Sequence, residues 1–204
     1  MNPHDPTHYA LNIMQDGITL PDPKWYYSGT ADAKVKLAGF KKVVKKVLRM
    51  AGEDNSDSEY DAESVIAVET AMAKLFEDAQ HERTHQQTQF TLEEVNRLVP
   101  NLHLSRVLER LSGGVDLAKT PILVRNPAYL KGLNKLLVST PASHLRSYML
   151  FRMAFILGAD MGQDWLDVGQ ELQQVVVGQR QAVPRWYKCF HSVNNALPDY
   201  VGKV

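Results

Sequence analysis

The chain has 204 residues, 44% of them hydrophobic, and carries 23 basic against 23 acidic side chains, so its formal net charge is zero. That size supports one domain able to bury roughly 70% of the surface its unfolded chain exposes, without help from disulfides or metal. The charge balance removes the electrostatic case for nucleic acid or an anionic membrane as partner.

Cys189 is the sole cysteine, which excludes an internal disulfide and leaves open a reducing compartment or a partner thiol elsewhere. Met1-Asn2-Pro3-His4-Asp5-Pro6 lacks the basic start and apolar core of a signal peptide. The most apolar stretch, Tyr148 to Ala159, is too short to cross a bilayer and contains Arg152, so no membrane segment is expected.

The first thirty residues are turn-rich, with Asp16-Gly17, Leu20-Pro21-Asp22-Pro23 and then Trp25-Tyr26-Tyr27. They read as an extended N-terminal segment anchored by aromatics, and residues 31–204 as helices of the same single domain. Ala33, Leu37, Phe40, Val44, Val47 and Ala51 recur at steps of three and four, one apolar stripe of a helix that Gly52 stops. An acidic stretch, Glu53 to Glu63, reads as a solvated loop. It lacks the alternation, glycine and terminal glutamate of a calcium loop.

Ala62 to about Arg83 reads as a second long helix. Thr91-Leu92-Glu93-Glu94 has the spacing of a capping box and opens a short helix closed by Pro100. Another runs from Ser105 to Leu111. Asn126-Pro127 and Thr140-Pro141 mark two further starts. The helix after Thr140, with Leu145, Met149, Phe151, Met153, Ile156 and Leu157, is expected to be the most buried. Helices from Asp164 to Val177 and from Pro184 onward complete the set, the last carrying Trp186, Phe190, Val193 and Leu197. No period-two strand pattern stands out. The predicted class is all-α, a multi-helix orthogonal bundle.

His81-Glu82-Arg83-Thr84-His85 is a literal His-Glu-x-x-His, which on a helix could hold Zn²⁺ with Glu82 activating water. Its place at the expected end of a helix, its polar neighbours and the lack of a third ligand favour surface histidines instead. No catalytic, cofactor-binding or metal-ligating residue is therefore assigned. Cys189 and His191, two residues apart, point away from each other on a helix and make no thiol dyad. Cys189 follows Trp186 at helical spacing, so both are expected on one partly buried face.

Several segments resemble, in order, the helical N-terminal region of the neprilysin and endothelin-converting enzyme family of zinc metallopeptidases. Gln15-Asp16-Gly17-Ile18-Thr19-Leu20-Pro21-Asp22 with Tyr26-Tyr27 resembles its Gln-x-Gly-Leu-x-Leu-Pro-Asp-Arg-x-Tyr-Tyr. Val68-Glu69 and Ala73-Lys74, then Asn126-Pro127-Ala128-Tyr129-Leu130 and Leu145-Arg146-Ser147-Tyr148 onward, are similar to further blocks. Pro184-Arg185-Trp186-Tyr187-Lys188-Cys189 resembles Arg-Trp-x-x-Cys.

The resemblance implies the larger part of a helical lid that gates peptide access to a catalytic domain. It implies no cofactor in this chain, the zinc belonging to that other domain. The implied partners are the catalytic domain and its peptide substrates. Relatives are secreted, membrane-anchored or bacterial cytoplasmic. Two other readings stand beside it: a small stand-alone zinc metalloprotease using His81, Glu82 and His85, and a non-catalytic peptide-binding helical module.

Overall fold

A computed structural model describes residues 10–77, 88–111, 113, 114, 116–158, 161–178, 181 and 184–197. Among them are eight α-helices: α1 (Ala31–Met50), α2 (Asn55–Ala73), α3 (Leu92–Leu98), α4 (Leu104–Leu111), α5 (Pro127–Ser139), α6 (Ala142–Gly158), α7 (Gln163–Val177) and α8 (Arg185–Ala196). The helical class is as predicted. A small sheet joins it, with β1 (Leu11–Ile13) parallel and β2 (Thr88–Phe90) antiparallel to the central β3 (Ile122–Val124). Strands of three residues are too short to display a two-residue period. Moreover, all three residues of β3 are buried, so no polar alternation marks it.

The first core lies where α1 packs against α2, α6 and α7. Thr30 caps α1 by accepting from the Ala33 N–H at 3.2 Å. The helix buries Phe40, Val43, Val44, Val47 and Leu48 on one stripe. Its end closes through Gly52 at φ 102°, with the Glu53 N–H returning to the Leu48 carbonyl at 3.1 Å. That is a left-handed glycine stop.

The acidic stretch is not a loop, since α2 begins at Asn55 and takes in Asp57, Glu59, Asp61 and Glu63. Two physical causes favour helix there. Acidic side chains suit the positive end of a helix, and α1 presents lysines opposite: Lys41 pairs with Glu59 at 2.7 Å and Glu63 at 2.9 Å, and Lys45 with Glu59 at 2.7 Å. Those bonds lower the Glu59 carboxyl to about 2. α2 ends at Ala73, ten residues before the predicted Arg83.

The second core lies beneath the sheet, where Val95 and Val99 meet Ile122, Val124, Tyr129 and Leu130. The capping box is present as expected: Thr91 Oγ1 accepts from the Glu94 N–H at 3.3 Å, and Glu94 Oε2 accepts from the Thr91 N–H at 2.7 Å. Asn126 caps α5 by accepting from the Tyr129 N–H at 2.8 Å. Thr140 behaves differently from the prediction. Its hydroxyl and its N–H both donate to the Leu136 carbonyl, so it closes α5 and does not cap α6.

α6 is not the most buried helix. One face packs on α1, α2 and α7 through Phe151, Tyr148 and Phe155, but Met149, Met153, Ile156 and Leu157 are more than half exposed. A helix apolar on both sides within one bundle layer satisfies only one of them. Gly158 at its end is buried because Trp165 lies where a side chain would start. A Cβ there would stand 2.4 Å from the indole Cε3, which is why α6 and α7 meet at a glycine.

Candidate functional site

The N-terminal segment is where polar chemistry concentrates, and its anchors come from three helices, α2, α5 and α6, and the residues that flank them. Gln15 Oε1 accepts from the Glu77 N–H at 3.0 Å and from Asn126 Nδ2 at 2.9 Å. The Asp16 carbonyl accepts from the Tyr129 hydroxyl, and the Gly17 carbonyl from the Tyr148 hydroxyl at 2.7 Å. Gly17 has φ 107°, and a Cβ on it would stand 3.2 Å from both Met72 Sδ and Tyr148 Oη. The positive φ and the close approach both require glycine here.

Beyond Gly17 the segment closes onto Glu69, a fully buried acid in the middle of α2. Thr19 donates its hydroxyl to Glu69 Oε1 at 2.7 Å and its N–H to Oε2 at 2.9 Å. Tyr26 donates its hydroxyl to Oε2 at 2.5 Å while accepting from the Leu20 N–H at 2.8 Å. Arg152 on α6 donates to the Thr19 hydroxyl at 3.2 Å and brings positive charge to the cluster.

Burial pushes the Glu69 carboxyl upward, and outweighs the bonds from Tyr26 and Thr19 and the charge of Arg152, which pull it down. Burial, followed by the charge of Glu69, drives Tyr26 far above the ordinary tyrosine value. Every contact made by Glu69 holds the chain in place. Its carboxylate is enclosed, so the cluster is an anchor and not an acid or base open to substrate.

Beside this anchor lies an almost wholly apolar pocket of about 270 Å³, framed by Gly17, Met72, Tyr129, Leu133, Tyr148 and Met149. A second pocket of about 280 Å³ lies on the other side of the segment, between Thr19 and Glu77, and is half polar. Asp16 lines both and so forms part of the wall between them. In the apolar pocket, burial raises both phenols, Tyr148 to about 12.

His81, Glu82 and His85 lie outside the described residues. Among the described residues no group of three His, Cys, Asp or Glu side chains could hold a metal. Two of the three described histidines are separately engaged: His144 shares a hydrogen bond with Tyr60 at 3.2 Å, and His191 packs its ring on Tyr187. The described residues therefore do not fit a zinc site, and no helix among them is long and apolar enough to cross a membrane.

The placement of the last helix departs from expectation. Trp186 is 70% exposed and Cys189 is exposed with it, because α8 turns its apolar stripe to solvent and not into either core. Trp186, Phe190, Val193 and Leu197 follow a four-three-four spacing, the seam a helix offers to another helix. A thiol reagent should accordingly label one site per chain, at nearly the same rate in the native and the denatured protein. A native rate slower by tenfold or more would place Cys189 under cover.

Comparison with solved structures places this fold. The crystal structure of the Mycobacterium tuberculosis zinc metalloprotease Zmp1 with an inhibitor superposes at a TM-score of 0.84 and 21% identity, over 96% of this chain and 30% of that one. PepO from Lactobacillus rhamnosis superposes at 0.82 and 17% identity, over 94% of this chain and 30% of that one. The architecture is thus that of a helical region of larger metallopeptidases.

The N-terminal model of peptidase family M13 matches residues 1–204, and the chain belongs to that family. Human endothelin-converting enzyme-like 1 is 22% identical over 176 residues, which is 84% of this chain and 22% of the relative. Rat endothelin-converting enzyme 1 is 23% identical over 200 residues, 96% of this chain and 26% of the relative. The chain spans about a quarter of the length of these curated relatives.

Proposed function

We propose that this chain is the helical, substrate-gating segment of an M13 zinc metallopeptidase and carries no catalytic residues of its own. The observation that carries the reading is the match of the whole chain, residues 1–204, to the family's N-terminal region. The exposed stripes support it: Met153, Ile156 and Leu157 on α6, and Trp186, Phe190, Val193 and Leu197 on α8, are apolar surface of the kind that covers a partner domain. In this reading that partner is the catalytic half of the peptidase. It supplies the zinc and the chemistry, while this segment limits the cavity to peptides and keeps folded proteins out.

The test has two arms. The chain alone, purified without added metal, should contain far less than one zinc per molecule and should not hydrolyse fluorogenic peptides. Added to the catalytic half of an M13 peptidase, it should suppress cleavage of a folded protein while leaving short peptides as substrates. Stoichiometric zinc and hydrolysis by the chain alone, both lost in His81→Ala, would transfer the activity to His81, Glu82 and His85. Unrestricted cleavage of folded protein in the second arm would remove the gating role.

A further inference from the structure

The apolar pocket beside Gly17 has a charge at its edge that the anchoring network does not use. The Asp16 carboxylate is exposed, and its Oδ1 accepts from the Gly17 N–H at 2.6 Å. Among the described residues no basic side chain pairs with it. Asp16 belongs to the pocket wall, and its charge adds to burial in raising both Tyr129 and Tyr148, whose rings line the same space. Arg152 opposes that effect at Tyr148, but its own guanidinium is held at Thr19 and faces Glu69.

Inside, the walls offer hydrocarbon alone. The phenol hydroxyls of Tyr129 and Tyr148 donate to the Asp16 and Gly17 carbonyls and so offer a ligand no donor. A volume of about 270 Å³ far exceeds the ~30 Å³ share of one water, yet such walls give water no partners. The space suits a ligand with a small hydrocarbon body. The carboxylate outside it selects a positive head over a negative one.

We propose that this pocket binds an aliphatic primary ammonium group, such as the first residue of a peptide with a leucine-like side chain. The hydrocarbon lies against Leu133, Leu137 and Met149, and the ammonium meets the Asp16 carboxylate. The site stands apart from the gating role, and a chain that gates nothing would still bind the amine.

The experiment is a titration of the full 204-residue chain, labelled at its Leu and Met methyl groups, followed by NMR. The probes are L-leucinamide, its N-acetyl derivative and 4-methylpentanoate. L-leucinamide should shift the Leu133, Leu137 and Met149 methyls saturably. The uncharged acetyl derivative should bind about fivefold more weakly, the effect of one solvent-exposed ion pair, and the carboxylate more weakly still.

Asp16→Asn keeps the acceptor for Gly17 and should bring the first two probes to parity. Leu137→Trp should fill the pocket and abolish binding of all three; Met149→Trp, on the exposed rim, serves the same purpose if the first variant does not fold. Equal affinity for the amine and its acetyl derivative would overturn the proposal. So would a preference that survives Asp16→Asn, saturable shifts confined to other methyls, or no saturable shift at all.

Discussion

Phe151→Ala should cost about 3–5 kcal/mol, a large part of the ~5–15 kcal/mol that holds a domain folded. Phe151 is fully buried on α6, with the Phe40 ring edge-on at 5.9 Å and the Phe155 ring stacked at 5.6 Å. It joins α6 to α1 at the centre of the first core. Truncation removes the ring and leaves a cavity that Phe40, held in turn by Tyr26 at 6.2 Å, cannot collapse to fill. Chemical denaturation should show a lower midpoint with an unchanged slope. A loss below about 1 kcal/mol would mean that α6 does not seal this core.

Glu69→Ala should cost a similar amount, about 3–4 kcal/mol, for a different reason. It strands the hydroxyls of Tyr26 and Thr19 without their acceptor and leaves Arg152 facing no carboxylate. Glu69→Gln keeps the shape and isolates the charge.

Because burial raises the folded-state value of Glu69, the folded protein holds this proton more tightly than the unfolded chain does. Its contribution is therefore most favourable below the unfolded value, about 4.3, and is lost as pH rises through the folded value. The difference in stability between wild type and Glu69→Gln, measured from pH 4 to pH 8, should fall with increasing pH. A difference that grows with pH would mean that the donors and Arg152 outweigh burial.

What could be read from the residues was what is decided locally. Thr91 with Glu94, Asn126 before Pro127, and Gly52 at φ 102° each settle a helix end within one turn, and all three were visible in the sequence. What escaped depends on neighbours distant in the chain. Glu53 to Glu63 looked like loop until the lysines of α1 were known to lie opposite. The stripe of α8 looked like core because spacing shows that a helix has an apolar face and not what covers it.

Glu69 did leave a signal. Ala62, Val65, Glu69 and Met72 follow the three-four spacing of the buried stripe, so an acid stands where the pattern calls for a hydrophobe. A charge at such a position implies donors supplied from elsewhere. The turn-rich N-terminal segment, with its Thr19 and Tyr26, was the available source.

That arrangement imposes an order in time. The segment ending at Tyr26 is synthesised before its partners Glu69, Asn126, Tyr129, Tyr148 and Arg152, which lie 43 to 133 residues further on. Closing such loops costs entropy before any bond repays it, and the last acceptors have no donors until α6 exists. On a ribosome this segment, made before the helices that hold it, would dock after they form, tethered and exposed meanwhile. Pulse-labelled hydrogen exchange during refolding should find the Thr19 and Leu20 amides protected after those of α1 and α2; simultaneous protection would mean that the clasp forms with the helices it joins.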